Sequence, residues 1–184
     1  MKKPLHRPLN FLLGLLLAVS LVLGFSVRGV WAAPSEAQVK VVFLYNFTKF
    51  VEWPSAAFPN SESPFQVCVM GQDSFGSLLM AIKKKSVRGR PLNIRRPDSL
   101  AETDSCHLLF VSESEKSHSE KIIQAMLGKP ILTVGESDGF ADKGGMIHFF
   151  IEKGAVRFVI NREAIKKAGL TVSSRLLRVG RLLK

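Results

Sequence analysis

Short apolar segments alternate with helix-patterned segments through the middle of the chain, and this alternation constrains the fold more than any other feature of the sequence. Helical spacing is seen, for example, from Glu120 to Leu127. The apolar segments, each bounded by Pro, Gly or Ser, are Phe65 to Met70, Leu92 to Ile94, His107 to Val111 and Ile131 to Val134. Strands that alternate with helices are joined by right-handed crossovers. The pattern therefore predicts an α/β fold with a mostly parallel central sheet and helices on both faces.

The segment from Met146 to Ile160 predicts a β-hairpin beside that sheet. Its two apolar runs, Met146 to Ile151 and Val156 to Ile160, are separated by the polar turn Glu152-Lys153-Gly154. Gly154 can take the positive φ that a short hairpin loop requires. Because both strands are strongly apolar, we expect an antiparallel addition at one side of the sheet that is covered on both faces.

Helical patterns flank the sheet at both ends of the chain. From Ser35 to Val51 the apolar residues fall on one helical face and Lys40 lies off it, until Pro54 ends the pattern. The first element is therefore predicted to be an amphipathic helix. After Asn161 two C-terminal helices are predicted, and the hydroxyls of Ser173-Ser174 can cap the second.

The N-terminus has the pattern of a secretory signal. Lys2, Lys3 and Arg7 precede an apolar run of fifteen residues, and Val30-Trp31-Ala32 offers residues that a signal peptidase accepts. A retained membrane anchor is the alternative, but the run is short of the roughly 20 residues that span a bilayer. We expect cleavage after residue 32, a periplasmic protein, and one domain over residues 33–184 that is long enough to form its own core.

The chain is basic. It has 26 basic and 15 acidic residues and a net charge of +11. The predicted signal holds four of the basic residues and no acidic one, so the exported part has 22 basic against 15 acidic residues, a net charge of +7. Export argues against nucleic acid as a partner. An anionic membrane surface or an acidic protein face suits this charge better.

The two cysteines, Cys68 and Cys106, fall in or beside the first and third predicted strands. An exported protein meets an oxidising compartment. Neighbouring strands can also hold the two Cα atoms within the roughly 4.4 to 6.8 Å that a disulfide requires. We therefore expect a disulfide between Cys68 and Cys106, with two reduced core thiols as the alternative.

No catalytic or metal-binding apparatus is visible in the sequence. His107, His118 and His148 are not spaced as metal ligands, and the chain has neither a Gly-x-Ser-x-Gly elbow nor a redox or zinc cysteine motif. An anion cradle is the alternative for Gly144-Gly145, but the pair precedes a strand, so a turn is preferred. His148 is interpreted as a hydrogen-bonded core or edge residue in preference to a pH sensor. We expect no enzymatic activity, no cofactor and no metal.

The C-terminal segment mixes cationic and apolar residues. The basic ones are Arg162, Lys166, Lys167, Arg175, Arg178, Arg181 and Lys184, and the apolar ones are Leu170, Val172, Leu176, Leu177 and Val179. A solvated helix face is one interpretation. A protein contact is the other, because partner-binding surfaces combine such residues. As the centre of that contact we expect Arg162, Leu170, Arg175, Leu176 and Arg178.

A series of short motifs runs from about Ala37 to Val179. They are Glu52-Trp53-Pro54, Val69-Met70-Gly71, Gly-Phe-Ala-x-x-Gly-Gly-Met-Ile from Gly139 to Ile147, Val-Arg-Phe-x-Ile-Asn from Val156 to Asn161, Ala-Gly-Leu-x-x-Ser-Ser from Ala168 to Ser174, and Leu176-Leu177. In this order and spacing they resemble the YfiR family of periplasmic proteins. Members of that family often carry a second cysteine pair nearer the C-terminus, which this chain lacks, and often have Glu where Val159 stands.

The resemblance implies a periplasmic regulator without enzymatic activity, which binds the periplasmic domain of an inner-membrane signalling protein. The implied receptor is a diguanylate cyclase of the YfiN type, held inactive by the contact and released to make cyclic di-GMP. A sensor kinase is the alternative receptor. An outer-membrane lipoprotein and a second copy of this chain are further candidate partners.

A small-molecule sensor domain, acting with a sensor kinase or a transport system, is the rival function. Its pocket is expected at the carboxyl ends of the parallel strands, where doubly wound sheets bind their ligands. The sequence alone assigns no polar residues to such a pocket.

Overall fold

The computed structural model describes residues 33–183, and the predicted signal segment, residues 1–32, lies outside the described residues. The helices are α1 (Glu36–Phe50), α2 (Leu79–Lys83), α3 (Ser119–Met126), α4 (Arg162–Lys167) and α5 (Ser174–Val179). The strands are β1 (Val51–Glu52), β2 (Phe65–Met70), β3 (Ser86–Val87), β4 (Arg90–Arg95), β5 (Leu108–Val111), β6 (Leu132–Gly135), β7 (Ile147–Glu152), β8 (Ala155–Ile160), β9 (Thr171–Val172) and β10 (Arg181–Leu182). Short 3-10 segments cover Ser55–Ala57, Gly76–Leu78, Leu100–Ser105 and Glu113–His118.

One large sheet organises these elements. Its strand order is β10-β8-β7-β6-β5-β2-β4-β3, and a separate two-stranded ribbon pairs β1 with β9. Strands β4, β2, β5, β6 and β7 are parallel to one another, while β8 and β3 run antiparallel to their inner neighbours. The prediction of a mostly parallel α/β sheet with an antiparallel hairpin near the C-terminus is confirmed.

Helix α1 forms as its sequence pattern predicts. The Ser35 hydroxyl accepts a hydrogen bond from the Gln38 amide, and the Gln38 side chain accepts one from the Ser35 amide, which makes a capping box. Leu44 and Phe47 are fully buried, and the Phe47 ring lies 5.1 Å from the ring of Phe158 on β8. Aromatic packing therefore holds α1 against the hairpin.

Lys40 departs from the predicted helix face. The residue is only 6% exposed, although the apolar spacing placed it on the outer side of α1. Its ammonium group donates a hydrogen bond to the Glu136 carboxylate and also pairs with Glu36, one turn earlier. A buried charge needs such partners, and the sequence pattern did not reveal them.

The hairpin is more exposed than its composition predicted. Its register pairs Ile147 with Ile160 and Phe149 with Phe158, and these four side chains are buried in the core under α1. Ile151, near the turn, is 49% exposed, and the residues that point to the opposite face are either partly buried or exposed. The expectation that both faces are fully covered is therefore wrong for the distal half of the hairpin.

The other face of the sheet has its own apolar cluster beneath α3. Ile122, Ile123 and Met126 of α3 pack there against the sheet. Cys68 on β2 and Cys106, two residues before β5, form a disulfide within this cluster, with their Cα atoms 5.9 Å apart. The predicted pairing is present because β2 and β5 are neighbours in the sheet.

Candidate functional site

The two C-terminal helices are short and begin at capped residues. The Asn161 side chain accepts a hydrogen bond from the Ala164 amide at the start of α4. The Ser173 hydroxyl accepts one from the Leu176 amide at the start of α5. These caps satisfy amides that would otherwise lack partners, and they fix the residue at which each helix begins.

The structure separates the five residues that were predicted to form the centre of the partner contact. Arg162, Arg175 and Arg178 are exposed, and so is the charge they carry. Leu170 and Leu176 are only 4% and 3% exposed, respectively, and both belong to the main core cluster. The two leucines therefore cannot supply the apolar centre of a surface contact, and that part of the expectation is wrong.

Other apolar residues are available on the same segment. Val179, at the end of α5, is 69% exposed, and Leu182 on β10 is 41% exposed. A groove of about 270 Å³ also opens between α4 and β9, with Arg162 and Lys166 beside the half-buried Leu177. We call the surface that carries Arg162, Lys166, Arg175, Arg178 and Val179 the C-terminal face.

One basic residue of this segment is already engaged within the chain. The Arg181 guanidinium pairs with Glu152 at 2.8 Å and lies over the Phe150 ring, 5.0 Å from its centroid. These contacts hold the short strand β10 against the hairpin. Arg181 therefore stabilises the fold and is a weaker candidate for partner contact. Arg178, in contrast, has no ion pair within residues 33–183.

A second candidate site lies where the strand order changes direction. In the sheet, β4 lies on one side of β2 and β5 lies on the other. The connections that leave β2 and β5 therefore run in opposite directions, and the loops at the carboxyl ends of these two strands diverge. Beside this point is a cleft of about 670 Å³, which we call the switch-point cleft; it lies between the loop after β4 and the segment after β5, over the end of β2. It is lined by Val69, Met70, Gly71, Gln72, Arg96, Pro97, Asp98, Ser99, Leu100, Ser114, Glu115, His118, Lys121 and Ile122. This is the location expected for the rival small-molecule pocket.

Hydrogen bonds between the two loops shape the floor of the cleft. The Gln72 amide donates to the Ser114 hydroxyl at 2.8 Å, and that hydroxyl lies 2.8 Å from the Ser112 hydroxyl. Gly71 has a φ of +84°, and a Cβ at this position would collide with both serine hydroxyls. Glycine is therefore required where β2 ends against the loop after β5.

The charged side chains of the cleft are partly paired. Arg96 is bound to Asp73, whose carboxylate is almost fully shielded from solvent. Burial alone would raise the pKa of Asp73, but hydrogen bonds from Arg96 and from the Phe75 amide outweigh it and lower the pKa. His118 lies 3.1 Å from the Glu115 carboxylate. Lys121 is exposed and has no ion pair in the part of the chain that the structure describes.

Gly144-Gly145, the alternative anion cradle, serves as a packing turn. A Cβ on Gly145 would overlap the Phe140 ring, which is fully buried beneath it. The close approach of backbone and ring explains the glycine, and the preferred interpretation as a turn agrees with this geometry.

The two inner histidines occupy different environments. His107 is buried; its Nδ1 accepts a hydrogen bond from the Gln66 amide and its Nε2 donates to the Ala57 carbonyl, each at 3.0 Å. Nε2 of His148 has no hydrogen-bond partner among the described residues, so the expected hydrogen-bonded histidine is absent there. Burial lowers the pKa of His148, although Asp138 raises it in part.

Residues 33–183 hold neither a metal-binding cluster nor a helix that could span a membrane. They contain no group of three or more His, Cys, Asp or Glu side chains arranged to hold a metal ion. Within the same residues, no helix has both the length and the apolar composition needed to cross a membrane.

Comparison with known proteins shows a matching family and solved structures of similar fold. The model of the YfiR/HmsC-like family matches residues 37–181. No curated protein matches the chain. A solved structure of the ABC domain in complex with L-Trp from Streptococcus pneumonia is 12% identical, with a TM-score of 0.50, over 80% of this chain and 60% of that one. A conserved domain protein from Vibrio cholerae O1 biovar eltor is 14% identical, with a TM-score of 0.54, over 83% of this chain and 62% of that one.

This chain spans about three fifths of the length of each of these two structures. At such low identity their likeness shows the fold alone. The family match, in contrast, covers nearly all of the residues that the structure describes.

Proposed function

The chain belongs to the YfiR/HmsC-like family, and on that premise we propose that it is a periplasmic regulatory protein that restrains an inner-membrane signalling protein. The proposed receptor is a diguanylate cyclase of the YfiN type. The observation that carries the proposal is the family match over residues 37–181. It favours a regulatory over a catalytic role, and we propose that the protein has no enzymatic activity of its own.

The proposed mechanism is a shift between two receptor states. If the protein binds the inactive arrangement of the receptor's periplasmic domain more tightly than the active one, binding stabilises the inactive state. Release of the protein then permits cyclic di-GMP synthesis on the cytoplasmic side. The size of the shift is set only by the difference between the two affinities, not by the tightness of binding itself.

The C-terminal face is the proposed contact. It presents exposed positive charge at Arg162, Arg175 and Arg178 beside the exposed side chain of Val179. Exposed charge at the rim of a contact accelerates association with an oppositely charged partner, and apolar side chains near it supply the desolvated centre. The proposal therefore expects an acidic patch with an apolar middle on the receptor.

Two measurements in the native cell envelope test the proposed function. Crosslinking in the periplasm followed by capture of the protein identifies the receptor, and intracellular cyclic di-GMP is compared with and without the protein. Capture of a diguanylate cyclase, together with a rise in cyclic di-GMP when the protein is removed, is the expected result. Capture of a sensor kinase with unchanged cyclic di-GMP would replace the proposed receptor by the alternative one.

A further inference from the structure

We propose that the switch-point cleft binds a small organic anion, in which a carboxylate or phosphate group is attached to an apolar body. The cleft volume of about 670 Å³ falls within the roughly 300–1,000 Å³ of small-ligand pockets. Its position also follows the general rule for open α/β sheets, because it lies outside the carboxyl ends of β2, β4 and β5, next to the change of strand direction. This inference is independent of the receptor proposed above.

The unused hydrogen-bonding capacity of the walls favours an anion. Asp73 orients the Arg96 guanidinium, and a guanidinium has five N–H donors, so donors remain for a ligand. Lys121 adds an exposed ammonium group without an ion pair among the described residues. The Glu115 carboxylate lies 3.1 Å from Nδ1 of His118, within hydrogen-bond distance. Donors from two separate segments of the chain thus face one cleft.

Two acidic residues, Asp98 and Glu115, line the cleft and limit where the anion can lie. Asp98 is exposed and lies in the loop that follows β4, two residues beyond Arg96. It would repel an anionic group placed beside it but would accept a hydrogen bond from a hydroxyl or amine elsewhere on the ligand. The charged group of the ligand is therefore expected beside Lys121, on α3, and Glu115, the other acidic residue of the lining, is within hydrogen-bond distance of His118.

The inner wall provides the apolar contact. Val69, Met70 and Ile122 are buried residues that line the cleft, and Leu100 is half-buried there. Because Val69, Met70 and Ile122 are at most 7% exposed, the half-buried Leu100 is the apolar side chain that a ligand can reach. An inorganic anion would leave Leu100 uncovered, whereas a ligand with an apolar body would cover it. The floor is preformed, because the Gln72 amide and the Ser114 hydroxyl fix the two loops to each other without any ligand.

The test is a titration of the ¹⁵N-labelled protein, purified from the periplasm, followed by amide chemical shifts. The probes are phenyl phosphate and benzoate, with inorganic phosphate as the head group alone and benzamide and benzylamine as neutral and cationic counterparts. We expect saturable shifts at Gly71, Gln72 and Ser114 with at least one of the two aromatic anions. Inorganic phosphate, benzamide and benzylamine should bind more weakly.

Charge-reversal variants separate this site from general attraction to a basic protein. Lys121→Glu should weaken binding of the anionic probe by about tenfold, because it removes a cation and adds repulsion. Lys84→Glu changes the net charge equally at an exposed position outside the cleft and should leave the affinity unchanged. Arg96→Gln, checked first by thermal melting because it also leaves Asp73 without its cation, should act like Lys121→Glu.

Three results would overturn the proposal: no saturable shift with either aromatic anion, equal binding of benzylamine, or equal effects of Lys121→Glu and Lys84→Glu. None of these results bears on the receptor assignment, which is measured by crosslinking and cyclic di-GMP. A preference between phenyl phosphate and benzoate identifies which head group the cleft accepts.

Discussion

Nζ of Lys40 lies 2.6 Å from Oε2 of Glu136, across 96 positions of the chain. The contact joins α1 to the residue that follows β6, and both side chains are well shielded, at 8% and 17% exposed. Burial disfavours the charged ammonium group, but hydrogen bonds to Glu136 and Glu36 outweigh it and raise the pKa of Lys40. The lysine is therefore charged and links the first helix to the carboxyl edge of the sheet.

The two acidic partners of Lys40 should contribute unequally to stability. Glu136→Gln is expected to lower the free energy of unfolding by about 1–3 kcal/mol, because it leaves a buried ammonium group with a weaker partner. Glu36→Gln is the matched control; Glu36 is 52% exposed, so the loss should be about 0.5 kcal/mol or less. Urea denaturation at neutral pH measures both. Equal losses would show that the buried Lys40–Glu136 pair contributes no more to the free energy of unfolding than the exposed Lys40–Glu36 pair.

The elements that could be predicted are those whose signals are local. The hairpin was predicted because Gly154 and two apolar runs lie within one short segment, and the disulfide because Cys68 and Cys106 each lie in or beside a strand of an α/β pattern. Both predictions use only the residues that are adjacent in the sequence and the order of the predicted strands along the chain.

The residues that were missed depend on distant parts of the chain. The ammonium group of Lys40 can be buried because it donates a hydrogen bond to the Glu136 carboxylate. No periodicity within α1 could indicate that distant partner. The switch-point cleft needs β4, β2 and β5 to be adjacent in the sheet, which then brings Arg96 and Lys121 to the same cleft. On helices as short as α5, the apolar spacing did not tell whether Leu176 faces the core or a partner.

The Cys68–Cys106 disulfide should be present in protein purified from the periplasm. Both cysteines are buried, so thiol titration must be done under denaturing, non-reducing conditions, and we expect no free thiol. The double substitution Cys68→Ser and Cys106→Ser should lower the stability by up to about 4 kcal/mol, as the chain-entropy model gives for a loop of this size. The sheet should survive, and far-ultraviolet circular dichroism checks this. Two free thiols per chain would contradict the prediction.

His107 should make the stability depend on pH. Burial is the largest cause of its lowered pKa, and a nearby positive charge on Arg90 adds to it. Protonation would also remove the lone pair on Nδ1 that accepts the Gln66 amide. The unfolded chain therefore binds the proton more readily, so the stabilisation is complete above the ordinary pKa of about 6.5 and is lost as the pH falls toward the lowered folded pKa.

Chemical denaturation at a series of pH values between neutrality and mild acid measures this loss. His107→Gln should reduce the slope of stability against pH in that window, although it also costs stability at neutral pH because a buried site is altered. His148→Gln is the comparison, since burial lowers the pKa of His148 as well. An unchanged slope in His107→Gln would mean that His107 does not titrate differently in the folded and unfolded states.

Arg178→Glu should weaken binding to the receptor's periplasmic domain while leaving the fold intact. Arg178 is exposed and forms no ion pair within residues 33–183, so the substitution breaks no ion pair there. It removes attraction to an acidic partner and adds repulsion, which should slow association several-fold and reduce the dependence of the association rate on salt. Surface plasmon resonance at two salt concentrations measures both effects.

The choice of variants follows from burial. Leu176→Ala is unsuitable as a test of contact, because Leu176 is 3% exposed and its truncation would open a core cavity at a cost of roughly 2–5 kcal/mol. Val179→Ser tests the apolar part of the C-terminal face instead, since Val179 is 69% exposed and should contribute mainly to a slower dissociation of the complex. Lys84→Glu, at an exposed residue after α2, is the charge-matched control. If Lys84→Glu abolishes binding while Arg178→Glu and Val179→Ser leave both rates unchanged, the contact lies elsewhere on the protein.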